Sequence, residues 1–109
     1  MVVSDQPTAL GYLRRDISGA QQEWDETQIR NIAKRLGYDL AKTLLFDADT
    51  DYRLDQLQTA IQVSHAEALI VPTLDHLGGT ADPLVKICDV ITVRPENTYA
   101  RWAFPPAGQ

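Results

Sequence analysis

The side chains of this sequence that could hold an anion or move a proton sit just behind its apolar runs. Arg14, Asp16 and Ser18 follow the segment Ala9 to Leu13, and Asp75 and His76 follow Ala68-Leu69-Ile70-Val71. Other candidates fall away on inspection. Asp47, Asp49 and Asp51 have the spacing that opens a calcium loop, but the sixth position is Tyr52, where glycine is required, and the twelfth is Gln58, where a bidentate glutamate belongs. A solvated turn is the reading. His65 and His76 are too isolated for a metal site, which wants three or four ligands at suitable spacing, so neither metal nor cofactor is expected. The single cysteine, Cys88, stands beside Ile87 and close to Val90 and reads as a buried thiol in a reducing compartment.

Residues 1–8 read as a loose leader and 94–109, with Pro95, Pro105 and Pro106, as an irregular tail. Between them, 9–93 form one domain. Thr8 to Ile17 alternates as a strand with Leu10, Tyr12, Arg14 and Asp16 on one side. Ile29, Ile32, Ala33 and Leu36 mark the inner stripe of a helix over 21–36, which Gly37 ends. Thr43 to Phe46 is a short buried strand. A second helix, marked by Leu54, Leu57 and Ile61, ends near His65. The run Ala68 to Val71 is apolar throughout, as in a parallel strand buried on both faces. Asp82-Pro83 opens a third helix as N-cap and first residue, and Val90 to Val93 is the fourth strand.

That alternation predicts an α/β fold: a four-stranded parallel sheet, order 2-1-3-4, with helices on both faces. In such sheets the functional crevice lies at the C-terminal strand ends where the winding reverses. The end of the first strand then meets the end of the third.

With 109 residues there is room for one domain, and 44% hydrophobic content can fill a core without disulfides. Fifteen acids against ten bases give a net charge of −5, which repels a phosphate backbone in the absence of a basic patch. Strong duplex DNA binding is therefore not expected. Neither a secretory signal nor a membrane-length apolar run is visible, so a cytoplasmic location without a membrane partner is expected. Trp24 reads as core, whereas Trp102 reads equally as packed or as a partner contact.

Several of these pieces together resemble the N-terminal catalytic domain of serine recombinases, the resolvase and invertase family. The strand Gly11-Tyr12-Leu13-Arg14-Arg15-Asp16 is similar to the family's Gly-Tyr-x-Arg-x-Ser. Arg53, Leu54 and Leu57 correspond to its Arg-x-x-Leu-x-x-Leu helix start, and Leu74-Asp75-His76-Leu77-Gly78-Gly79 to its Leu-Asp-Arg-Leu-Gly-Arg. The likeness covers about residues 9–93 and implies a resolvase-like fold. Such enzymes attack a DNA phosphate with the serine while arginines neutralise the developing charge.

The departures matter more than the matches. In gapless register Asp16 holds the serine position, and His76 and Gly79 replace two arginines. Two extra residues after Arg14 would instead bring Ser18 to that position, with Gln22 four residues later. The simpler reading of Ser18-Gly19 is a turn and helix cap. Neither the family's long dimerising helix nor its helix-turn-helix domain fits in residues 94–109. The expectation is a non-catalytic recombinase-like domain, not an enzyme, which acts by protein interaction, regulation or self-association. Tyr12, Arg14, Ser18, Gln22, Arg53 and Asp75 are then remnants of a catalytic site, of which Tyr12, Arg14, Arg53 and Asp75 converge in a cleft. The alternative is a residual phosphoryl-transfer or anion site built from Arg14, Arg53, Asp75 and Ser18. The segment LLFDADTD is also similar to the start of haloacid-dehalogenase phosphatases, but Asp51 stands where that family has threonine.

Overall fold

Continuous apolar runs with nothing polar to show to water must lie between two layers, and the chain obeys this. In the computed structural model, which describes residues 6–50 and 53–101, strand β1 (Thr8–Arg14) is flanked in parallel by β2 (Asp39–Phe46) and β3 (Ala68–Val71), and β3 by β4 (Asp89–Thr92). The order β2-β1-β3-β4 is the expected one. A fifth strand, β5 (Asn97–Tyr99), extends it antiparallel to β4, so the sheet has five strands rather than four. The segment read as an irregular tail thus contains a strand. Three residues with no apolar alternation leave no periodic signal.

Helix α1 (Arg15–Ser18) and a 3-10 turn lead into α2 (Gln22–Arg35). Ile29, Ile32 and Ala33 of α2 join Ala9, Leu13, Ala68, Ile70 and Ile91 on one face of the sheet. On the other face α3 (Arg53–Ser64) and α4 (Asp82–Val85) supply Leu57, Ile61, Leu84 and Val85 to a cluster with Leu10, Tyr12, Leu69, Val71 and Val90. Gly11 permits the close approach of these layers. A Cβ there would stand 2.6 Å from Thr43 Oγ1 and 2.8 Å from Ile29 Cγ2. Gly37, at φ 83°, is the left-handed residue after α2.

Several expectations are corrected. Strand β1 stops at Arg14, so Asp16 and Ser18 lie on a helical turn and strand alternation does not govern them. The second strand is an edge, eight residues long, with Thr43 to Phe46 half-buried rather than buried. Ala41 has no partner in register and forms a bulge. Trp24 is 50% exposed, not core, and Leu36 is exposed at the end of its stripe. Asp82 is the first residue of α4 rather than its cap, and its N–H donates to Thr80 Oγ1. Trp102, Asp51 and Tyr52 lie outside the described residues, as does most of the leader.

The N-terminal strand ends are stitched by backbone bonds from Asp39 N to Pro7 O, Glu67 N to Thr8 O and Asp89 N to Glu67 O. At the same end, Arg101 N–H donates to Asp89 Oδ1. Among the described residues, no helix is long and apolar enough to cross a membrane.

Candidate functional site

At the opposite, C-terminal strand ends a cleft of about 460 Å³ opens between β1, the start of α3 and the 3-10 turn Leu74–Leu77. Its walls are half apolar, from Leu54, Leu57, Leu77 and Leu84, and half polar, from Tyr12, Arg14, Arg53 and His76. Thr50 and Thr80 add hydroxyls at the rim. Tyr12 reaches it by strand alternation from the core and stacks edge-on against Phe46 at 5.4 Å. Burial pushes its phenol above the usual range, although Arg53 and Arg14 pull the other way.

Arg14 ends β1 with its guanidinium folded onto Asp16, Nε to Oδ1 at 3.1 Å and Nη2 to Oδ2 at 2.7 Å. This two-point bond holds the Asp16 carboxyl below the ordinary carboxylate value. The backbone N–H of Arg14 donates to His76 Nδ1 at 2.9 Å, tying the end of β1 to the turn after β3. His76 is 2% exposed, and burial lowers its pKa, Asp25 opposing the shift. An Nδ1 that accepts puts the proton of the neutral ring on Nε2. Arg53 caps the acidic turn by donating through Nη1 to the carbonyl oxygens of Asp47, at 3.2 Å, and Ala48.

Three of the four residues expected to converge therefore do so. Asp75 is the exception: it is exposed and lines no wall, and the adjacent His76 takes its place.

Ser18 and Gln22 are also elsewhere. The Ser18 hydroxyl donates to Asp25 Oδ2 at 2.7 Å, and Asp25 Oδ1 accepts from Arg94 Nη1 at 2.7 Å. Asp25 is 1% exposed. The Arg94 guanidinium lies 5.1 Å above the Trp24 ring, a cation–π stack. Gln22 donates to Glu26 one helical turn on. No side-chain cap bond is made by Ser18, so its work is tertiary rather than local.

Sequence reading missed this Ser18–Asp25–Arg94 network. The one available signal was an aspartate placed on the stripe that continues to Ile29, Ile32 and Ala33, a polar residue on a buried face.

Among the described residues, no group of three or more histidine, cysteine or acidic side chains could hold a metal. Asp47 sits in a turn, its N–H donating to Thr50 Oγ1 and its carboxylate 3.9 Å from Arg15. Cys88 is buried, with its thiol pushed up to about 12. Compared with known family models, curated proteins and solved structures, the chain finds no match.

Proposed function

We propose that this chain is a non-catalytic binding domain with a serine-recombinase-like plan, acting through a protein partner and not through strand cleavage. The observation that carries this reading is the engagement of both residues that could occupy the serine position. Asp16 is clamped by Arg14, and the Ser18 hydroxyl is spent on buried Asp25, outside the cleft. A serine acting as a nucleophile needs a free path to its electrophile and a base that takes its proton. Here the hydroxyl proton serves a structural carboxylate that Arg94 already neutralises.

A transferring phosphoryl group also needs preorganised donors. Arg14 and Arg53 both face the cleft, but each guanidinium already has protein partners, and His76 is held in its neutral form. The cleft keeps the outline of a reaction site with its polar groups turned to internal use.

The test is incubation with supercoiled plasmid, read for nicking and for a covalent protein–DNA adduct, with Ser18→Ala as control. No adduct is expected, and no sequence-selective duplex shift at about 0.15 M salt. An adduct formed by the wild type and lost in Ser18→Ala would overturn the proposal in favour of the residual phosphoryl-transfer alternative.

A further inference from the structure

The two edges of the sheet are built differently. The β5 edge is three residues long and polar, with Asn97 and Thr98 exposed, a form that resists strand addition. The β2 edge runs for eight residues without proline and carries one lysine, Lys42. Its second half, Thr43-Leu44-Leu45-Phe46, is apolar toward both layers: Leu44 and Phe46 pack with the Tyr12 cluster, and Leu45 with the Ile29 cluster. Such a strand has the composition of a sheet interior. Yet these four side chains are only half-buried, because among the described residues no strand lies beyond β2.

We propose that the β2 edge pairs antiparallel with the β2 edge of a second copy of this chain, about a twofold axis at Leu44. This deepens the binding-domain reading by naming its partner, and rests on it. The register is compatible with self-pairing. Opposed residues in an antiparallel pair must share a face. With the axis at Leu44, that residue meets itself, Thr43 meets Leu45 and Lys42 meets Phe46. The pairings Leu10↔Lys42, Gly11↔Thr43, Tyr12↔Leu44, Leu13↔Leu45 and Arg14↔Phe46 put each such couple on one face. The Ala41 bulge closes the matched stretch at its other end.

Charge selects the same direction. Among the described residues Lys42 is exposed and has no ion-pair partner, and the carboxylate of Asp47, just past the other end of the strand, has as its ion-pair contact the 3.9 Å approach to half-exposed Arg15. Antiparallel pairing sets each Lys42 opposite the other copy's Phe46, with Asp47 one residue further on, past the end of the strand. Parallel pairing would set Lys42 against Lys42. A single edge of five residues gives an interface of the weak class, below about 1,200 Å², so the dimer is concentration-dependent.

The test uses the whole chain. Sedimentation equilibrium from about 10 μM to about 1 mM, a range suited to a weak interface, should resolve monomer and dimer in exchange. Leu44→Cys should form an intermolecular disulfide on mild oxidation, since directly opposed Cβ atoms lie about 5 Å apart. Lys42→Cys should not, because the two sites are then four residues apart along the strand, about 14 Å. Buried Cys88 stays silent in both. Lys42→Glu, at an exposed position that leaves the fold intact, should weaken the dimer several-fold and serves if Leu44→Cys fails to fold. A wild type that is monomeric throughout, or cross-linking of Lys42→Cys equal to that of Leu44→Cys, overturns the pairing. Either result leaves the non-catalytic reading to the plasmid assay, where it fails or stands separately.

Discussion

Replacing Asp25 with alanine removes the acceptor on which two other elements depend. Its carboxylate holds the end of α1 through Ser18 and the segment after β4 through Arg94, each at 2.7 Å. A hydrogen bond to a charged group contributes about 1.5–3 kcal/mol, so two would total about 3–6 kcal/mol. The Arg94 side chain is 38% exposed and recovers water when its partner goes, which reduces that arm to the value of a half-exposed pair. The Ser18 hydroxyl, buried beside it, does not rehydrate. The expected cost of Asp25→Ala is thus about 2–4 kcal/mol, against about 1 kcal/mol for Ser18→Ala, which removes one donor and leaves the ion pair. Urea unfolding followed by circular dichroism measures both, and an Asp25→Ala, Arg94→Ala double-mutant cycle isolates the pair. Asp25→Ala within about 0.5 kcal/mol of wild type would refute the reasoning, because surface substitutions alone reach that value.

Three further outcomes follow from local geometry. His65 caps α3 at φ 56°, so His65→Gly should stabilise the domain by about 0.5–1 kcal/mol, read as a raised Tm. Gly11→Ala places a methyl group against Thr43 and Ile29 and should cost about 1–3 kcal/mol in urea unfolding. His76 has a lowered pKa in the fold, so below its unfolded value of about 6.5 the unfolded chain takes up a proton that the native state refuses. Stability is then full above that pH and falls as the pH drops toward the folded value. His76→Asn, whose Oδ1 can still accept the Arg14 N–H, should flatten a Tm profile recorded from pH 8 to 5.

What the sequence made legible was periodic. The apolar runs at 9–13, 68–71 and 90–93 and the stripe Ile29, Ile32 and Ala33 gave the parallel order and helix placement, because burial on two faces or one leaves a repeat in the residue types. Strand β5 left none. Asp16 and Ser18 were misplaced because a strand can turn into a helix without a glycine or proline to mark the step, as at Arg14-Arg15. Trp24 was read as core since its size favours burial, yet α2 turns it toward Arg94, whose position 70 residues later no local pattern reveals. The strand order placed Arg14 at the crevice, and the resemblance to the recombinase motifs added Tyr12 and Arg53 to the same cleft. Asp75 could not be separated from His76, because spacing within a 3-10 turn is finer than motif matching resolves.

The described ends of the chain share one rim of the sheet. Thr8 begins β1, and Arg101 is bound to the first residue of β4, at the edge opposite the cleft. A purification tag, a fluorescent protein or a surface linker joined directly at Thr8 or Arg101 would therefore leave from the far side and hold the domain with its cleft toward the bath. The same geometry suits a swap of chain order. A short linker between Thr8 and Arg101 would span one rim, and new termini opened in the exposed Asp47–Asp49 turn would lie beside the cleft instead.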